Sequence, residues 1–290
     1  MIELAYQLAA NGILIGASYA MASVGLTMIF GVLRAINFAH GEYYMFGAFA
    51  SYVAMTQFGM TYPVSLFATL LAAIALGLLV SWMIMERLVD APFQRAVLAT
   101  LGVYLVLQNS IFLGFSGAYQ TFPGGWLDVV QVFGISAIQQ RYVLISIMFA
   151  VFVGLELMVR YTRLGRTIRA VSQNREACVV VGINVESVTR ITFCIGIALA
   201  AVAGALMGPI LVTIYPAMGE GLTFKAFAVT VIAGMGNVHG VVLSSMFLGV
   251  TESFVAGYVG MQYREAVGFV ALIAVLMWRP YGVFTARARF

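Results

Sequence analysis

Apolar residues come in long runs with few polar interruptions, covering 6–32, 43–58, 63–85, 97–115, 141–159, 191–214, 223–235, 241–258 and 263–278. A hydrocarbon core about 30 Å thick is crossed by about 20 apolar residues in helix. Runs such as Leu66 to Met85 and Val143 to Leu155 lack the period-two alternation of a transmembrane strand. The pattern predicts an all-α, polytopic transmembrane helical bundle with about eight spans, in one domain over residues 1–290. The run at 223–235 is too short for a comfortable span, so it reads as a half-helix or re-entrant element. Such broken backbone is tolerated in a membrane only where protein or a water-filled cavity covers it.

Composition agrees with lipid as the solvent. The chain is 62% hydrophobic and 9% charged, with a mean hydropathy of +1.00, against about 25% charged residues in soluble domains. The formal net charge is +4, but its placement matters more than its sum. Six of the fifteen basic residues, Arg160, Arg163, Arg166, Arg169, Arg175 and Arg190, fall in one loop. That clustering fits a cytoplasmic loop and argues against nucleic-acid binding. Arg87 and Arg95 put the 86–96 loop on the same side, and Arg279, Arg287 and Arg289 put the C-terminus there too. An odd number of crossings after residue 190 then requires 223–235 to cross as part of a broken helix, or another boundary to move. Counting back places the N-terminus outside. The segment 116–140 has no basic residue and reads as a long outer loop, with Trp126 as an interface anchor. The start, Met1-Ile2-Glu3, has no basic region and does not read as a cleaved signal. Cys178 and Cys194 suggest no disulfide framework.

Polar groups inside the runs are the candidates for a pathway or gate, because they are expensive at membrane depth. They are Thr27, Asn37, His40, Glu42, Asn237 and Glu252. Asn37, His40 and Glu42 either line a path or hold a tight turn, with His40 bonded to a backbone carbonyl. Glu252 either lines the path or pairs with a base such as Lys225, the one lysine. Glu156 reads as a helix-surface partner of Arg160. Gly25-Leu26-Thr27 before Asn37…His40-Gly41 is echoed by Gly221-Leu222-Thr223 before Asn237…His239-Gly240. The echo suggests an internal repeat, with coincidence as the other reading; transporters often bind solute at repeat interfaces. Gly12 with Gly16, and Ala200 with Gly204 and Gly208, form small-residue faces for close packing. Lys225 lies between Phe224 and Ala226, so no Gly-Lys-Ser/Thr phosphate loop is present. His40 and His239 lack a second ligand at metal spacing. No cofactor, no metal and no catalytic set are expected.

The arginine loop, about 161–190, carries more than charge. Glu176, Ala177 and Gly182 keep the spacing of the E-A-A-x-x-x-G pattern of ATP-binding-cassette (ABC) importer permeases, with Cys178 at the third place. A short helix with small Ala177 suits a groove on an ATPase, and Gly182 or Asn184 can end it. Arginines offer pairing with acidic groups, and a plain loop has no need of Val179–Val181. The run Gly25 to Glu42, with Asn37-Phe38-Ala39-His40-Gly41, resembles the signature of the Liv-type (leucine/isoleucine/valine) permease family. Arg169-Ala170, Gly182 to Val185 and Lys225 to Asn237 continue the likeness over nearly the whole chain. A departure falls at Asn237-Val238-His239, where a Ser-Ile-Pro-like turn is expected.

The resemblance implies a permease subunit of an ABC importer for branched-chain amino acids, in the bacterial inner membrane. It implies as partners a second related permease, two ATPases and a periplasmic binding protein. Arg166, Arg169, Asn174, Glu176, Ala177, Gly182 and Ile183 become the expected ATPase-coupling residues. A same-fold permease for urea or amides, a self-sufficient secondary carrier, and a membrane enzyme are the alternatives.

Overall fold

A computed structural model describes residues 2–33, 36–88, 91–132 and 135–284; Arg287 and Arg289, and the Arg34-Ala35 part of the signature, lie outside them. The chain is helical throughout: α1 (Ile2–Leu33), α2 (His40–Thr56), α3 (Tyr62–Met83), α4 (Phe93–Phe115), α5 (Gln139–Tyr161), α6 (Arg163–Gln173), α7 (Arg175–Val180), α8 (Val185–Leu211), α9 (Met218–Ala233), α10 (Val238–Tyr258) and α11 (Arg264–Trp278). Among the described residues four short strands join them, β1 (Gln120–Thr121) paired with β4 (Thr213–Ile214), and β2 (Val129–Val132) with β3 (Ile135–Ile138).

Seven of these helices are long and apolar enough to cross a membrane. The remaining membrane-depth helices, α2 and α9, have only 17 and 16 residues. At 1.5 Å per residue they reach about 25 Å, short of a full crossing. Their start points explain the shortfall. His40 touches Ala22, eleven residues before the end of α1, so α2 begins about 16 Å back along that helix. The far end of α2 reaches the outer loop, where Tyr52 donates to Gln120. α9 mirrors this: α8 ends beside β4 and its partner β1, while α9 ends near the C-terminal segment, where Val283 N bonds Ile232 O. The expected broken crossing at 223–235 therefore exists as α9, and α2 is a second one.

Packing shows an internal repeat, at residues other than the sequence echo. α1 packs on α10 as α3 packs on α8, α2 on α8 as α1 on α9, and α2 on α4 as α9 on α11. Exchanging α1–α4 with α8–α11 preserves these pairs. α1–α4 make four crossings and α5 a fifth, while the short α6 and α7 make none, so α8 starts on the opposite side from α1. The repeat is inverted, as in several transporter folds. Gly25-Leu26-Thr27 lies in the last third of α1 and Gly221-Leu222-Thr223 in the first turns of α9. Those motifs are not equivalent; Gly41-Glu42 and Gly219-Glu220, each at the second and third positions of its short helix, are.

Lipid removes most of the hydrophobic drive between helices, so contact distance decides packing. Gly12 and Gly16 lay α1 directly against the α10 backbone at Val250 and Met246. The outer loop is closed by Gln140, which donates to the Tyr62 hydroxyl (2.6 Å) and the Leu206 carbonyl (2.9 Å). Trp126, expected as an interface anchor, stacks edge-on against Tyr62 at 5.0 Å in that same clamp.

Candidate functional site

The first turns of α2 and α9 meet head to head inside the bundle. Gly41 and Gly219 make this contact: a Cβ on Gly219 would stand 2.5 Å from the Gly41 carbonyl oxygen, and one on Gly41 would strike the Gly219 carbonyl. Gly41 N donates to Thr223 Oγ1 at 2.9 Å, tying one turn to the other. The positive ends of two helix dipoles thus converge. His40 Nε2 donates to the Ala22 carbonyl at 2.8 Å, which fixes its tautomer. Asn37 Oδ1 accepts from Ala39 N at 3.1 Å, and Thr27 bonds Thr230 at 3.0 Å. His40 thus bonds a backbone carbonyl of α1, and Asn37 bonds the backbone of its own turn. Glu42 is fully buried, and neither of its oxygens has a hydrogen-bond partner among the described residues. Glu220 accepts from Tyr104 (2.8 Å) and Gln108 (2.6 Å), both on α4.

A second polar cluster joins α1, α9, α10 and α11. Glu252, at 0% exposure, accepts from Tyr19 (2.8 Å), Lys225 (3.2 Å) and Arg264 (3.2 Å) through Oε2. Lys225 also donates to Tyr19 (2.9 Å) and to Glu265 (2.9 Å). Two cations and two carboxylates make the cluster neutral. Lys225 as the partner of Glu252 was legible in the sequence; Tyr19, Arg264 and Glu265 were not, because a helix-entry ion pair resembles interface decoration.

Asn237 sits at the inner end, not in either cluster. Its Oδ1 accepts from Gly240 N as the cap of α10, and its Nδ2 donates to Phe284 O, each at 3.0 Å. That double use explains how Asn-Val-His replaces the expected turn. His239 pairs with Glu156 at 3.0 Å, and Glu156 also pairs with Arg160.

The arginine loop folds into α6 and α7. On α6, Gly165, Ile168 and Val171 point inward while Arg163, Arg166 and Arg169 point out, a three-residue stagger of one amphipathic helix. Asn174 caps α7 by accepting from Ala177 N at 3.0 Å, and Asn184 caps α8 by accepting from Ser187 N at 2.9 Å. Gly182, at φ +82°, ends the turn in left-handed geometry. Cys178 turns inward and Ile183 is half-buried, while Glu176 and Ala177 lie open. Val179, Val180 and Val181 are 61%, 86% and 72% exposed, an apolar knob on the arginine-rich side.

An inverted repeat with two interrupted helices meeting in its interior defines a multi-pass membrane permease. The family profile described as branched-chain amino acid transport system permease component matches residues 8–276, and the chain belongs to that family. The permease BraD of Pseudomonas aeruginosa is 34% identical, over 94% of this chain and 93% of its own. LivH of Escherichia coli is 32% identical with the same coverage. LivM of Escherichia coli is 24% identical, over 91% of this chain and 67% of its own. A solved structure, PsaBC from Streptococcus pneumoniae in complex with Fab, shares the fold at a TM-score of 0.52 and 9% identity, covering 93% and 91% of the two chains.

Proposed function

We propose that the chain is one of two membrane-spanning subunits of an ABC importer that carries branched-chain amino acids into the cytoplasm. The observation that carries this reading is the exposed valine knob of α7, held out on the arginine-bearing side of a family permease. Exposed apolar side chains beside arginines suit a groove on a partner, and the positive-inside rule puts that partner in the cytoplasm. Two ATPases would bind there, one per permease. Arg166, Arg169, Asn174, Glu176, Ala177, Gly182 and Ile183 would transmit their closure through α6, which packs on both α5 and α8. Likeness to both LivH and LivM, described as permeases of one high-affinity system, supports a related second permease as the other half. A periplasmic binding protein would deliver solute on the outer face of the inner membrane. The chain itself would do no covalent chemistry.

The deciding experiment is ATP hydrolysis by the complex reconstituted with its binding protein. Leucine-loaded binding protein is expected to stimulate hydrolysis, and changes at Glu176 and Gly182 to uncouple it. If no ATPase associates and uptake follows an ion gradient, the importer reading fails.

A further inference from the structure

The junction of α2 and α9 holds two carboxylates that the fold does not neutralise. Glu42 is fully buried, and among the described residues neither of its oxygens has a hydrogen-bond partner. It faces α9, since a Cβ on Gly219 would stand 2.9 Å from its Oε1. Glu220 follows Gly219 directly, is half-buried, and is held by Tyr104 and Gln108. Among the described residues neither carboxylate has an ion-pair partner, whereas Glu252 and Glu265 share Lys225. Charge buried without a partner is costly, and converging helix dipoles offset only part of that cost. Among the described residues the two carboxylates thus face no cationic group. α4 carries Tyr104 and Gln108 on a helix with little of its surface buried, so the junction opens at the bundle surface.

A branched-chain amino acid in transit brings an α-ammonium, an α-carboxylate and an apolar side chain, and the α-ammonium is the group that carboxylates can receive. We propose that Glu42 and Glu220 form the ammonium-recognising station of the translocation path, with Tyr104 and Gln108 as positioning residues for Glu220. This rests on the importer reading above. The station stands at the interior end of both interrupted helices, where inverted-repeat transporters hold their solutes. Contact there is brief, because a single carboxylate pair releases its cation once the path opens inward.

The test is uptake of radiolabelled leucine into proteoliposomes holding the whole importer, with loaded binding protein and ATP. Glu220→Gln keeps the shape and an acceptor oxygen for Tyr104 and Gln108 but removes the charge. Its uptake is expected to fall about tenfold or more, the scale of one charge-assisted hydrogen bond. Glu220→Asp, which restores the charge, is expected to recover most of the loss, and all subunits should still co-purify. Native-level uptake by Glu220→Gln or by Glu42→Gln overturns the station, and so does an equal loss in Glu220→Asp and Glu220→Gln. Should Glu42→Gln fail to assemble, the half-exposed Glu220 variants decide. If the native complex takes up no leucine, the importer reading falls first and the station with it.

Discussion

Glu252 offers the most direct measure of what holds the α9–α10–α11 sector together. Lys225 Nζ and Arg264 Nε each lie 3.2 Å from its Oε2. At an effective dielectric of about 20, each contact is worth about 5 kcal/mol before desolvation. Desolvation offsets several kcal/mol per ion, so the pair is only modestly stabilising as a unit. Breaking it is another matter. Glu252→Gln leaves Lys225 with Glu265 alone, which is 66% exposed and screened, and takes from Arg264 its carboxylate partner; it should cost about 3–5 kcal/mol. Lys225→Met leaves Glu252 with Arg264 and Tyr19, so its cost should be smaller, about 1–3 kcal/mol. The double variant restores charge balance between Arg264 and Glu265. It should lose less than the sum of the singles, with a coupling of about 1–3 kcal/mol. Denaturant titration of the purified chain in mild detergent, read by tryptophan fluorescence, completes the cycle. Additivity within about 0.5 kcal/mol would show that Lys225 and Glu252 act independently and refute the argument.

Other positions test other links. Gly219→Ala inserts a methyl 2.5 Å from the Gly41 carbonyl, and should cost about 1–3 kcal/mol or more by overpacking; a variant with unchanged detergent stability would mean the two turns are free to part. Gln140→Leu strips the donors from the Tyr62 hydroxyl and the Leu206 carbonyl. An expected loss of about 1–3 kcal/mol for unsatisfied buried groups should appear together with faster proteolysis of the 116–138 loop. Val180→Asp alters a side chain that is 86% exposed and should leave stability within about 0.5 kcal/mol. The same change should abolish ATPase co-purification, and retained ATPase would remove the knob from the docking surface.

The sequence carried the bundle because lipid imposes a length rule on every apolar run. The α1, α3, α4, α5, α8, α10 and α11 runs were legible to within a few residues for that reason. Two features were hidden by the same rule. The first turns of α2 and α9 contain Gly41-Glu42 and Gly219-Glu220, polar pairs that lower local hydropathy and made the helices seem to start later. Yet those pairs mark the repeat, since Gly41 and Gly219 let the two first turns touch backbone to backbone. The visible echo of Gly-Leu-Thr and Asn…His-Gly pointed to a repeat but joined positions of different kind, one inside a long helix and one opening a short one. The arginine loop was the opposite case. Its caps, arginine stagger and Val179–Val181 run are local signals, and local hydrogen bonds at Asn174 and Asn184 realise them. Tyr104, Gln108, Tyr19, Arg264 and Glu265 carried no such signal, because their meaning depends on helices distant in sequence. A buried carboxylate is therefore the best sequence clue in a chain of this kind. Of the two that α2 and α10 bury, Glu252 was given its counter-ions by the fold and Glu42 was not. That difference separates a structural tie from a site kept open for a charge that arrives from outside.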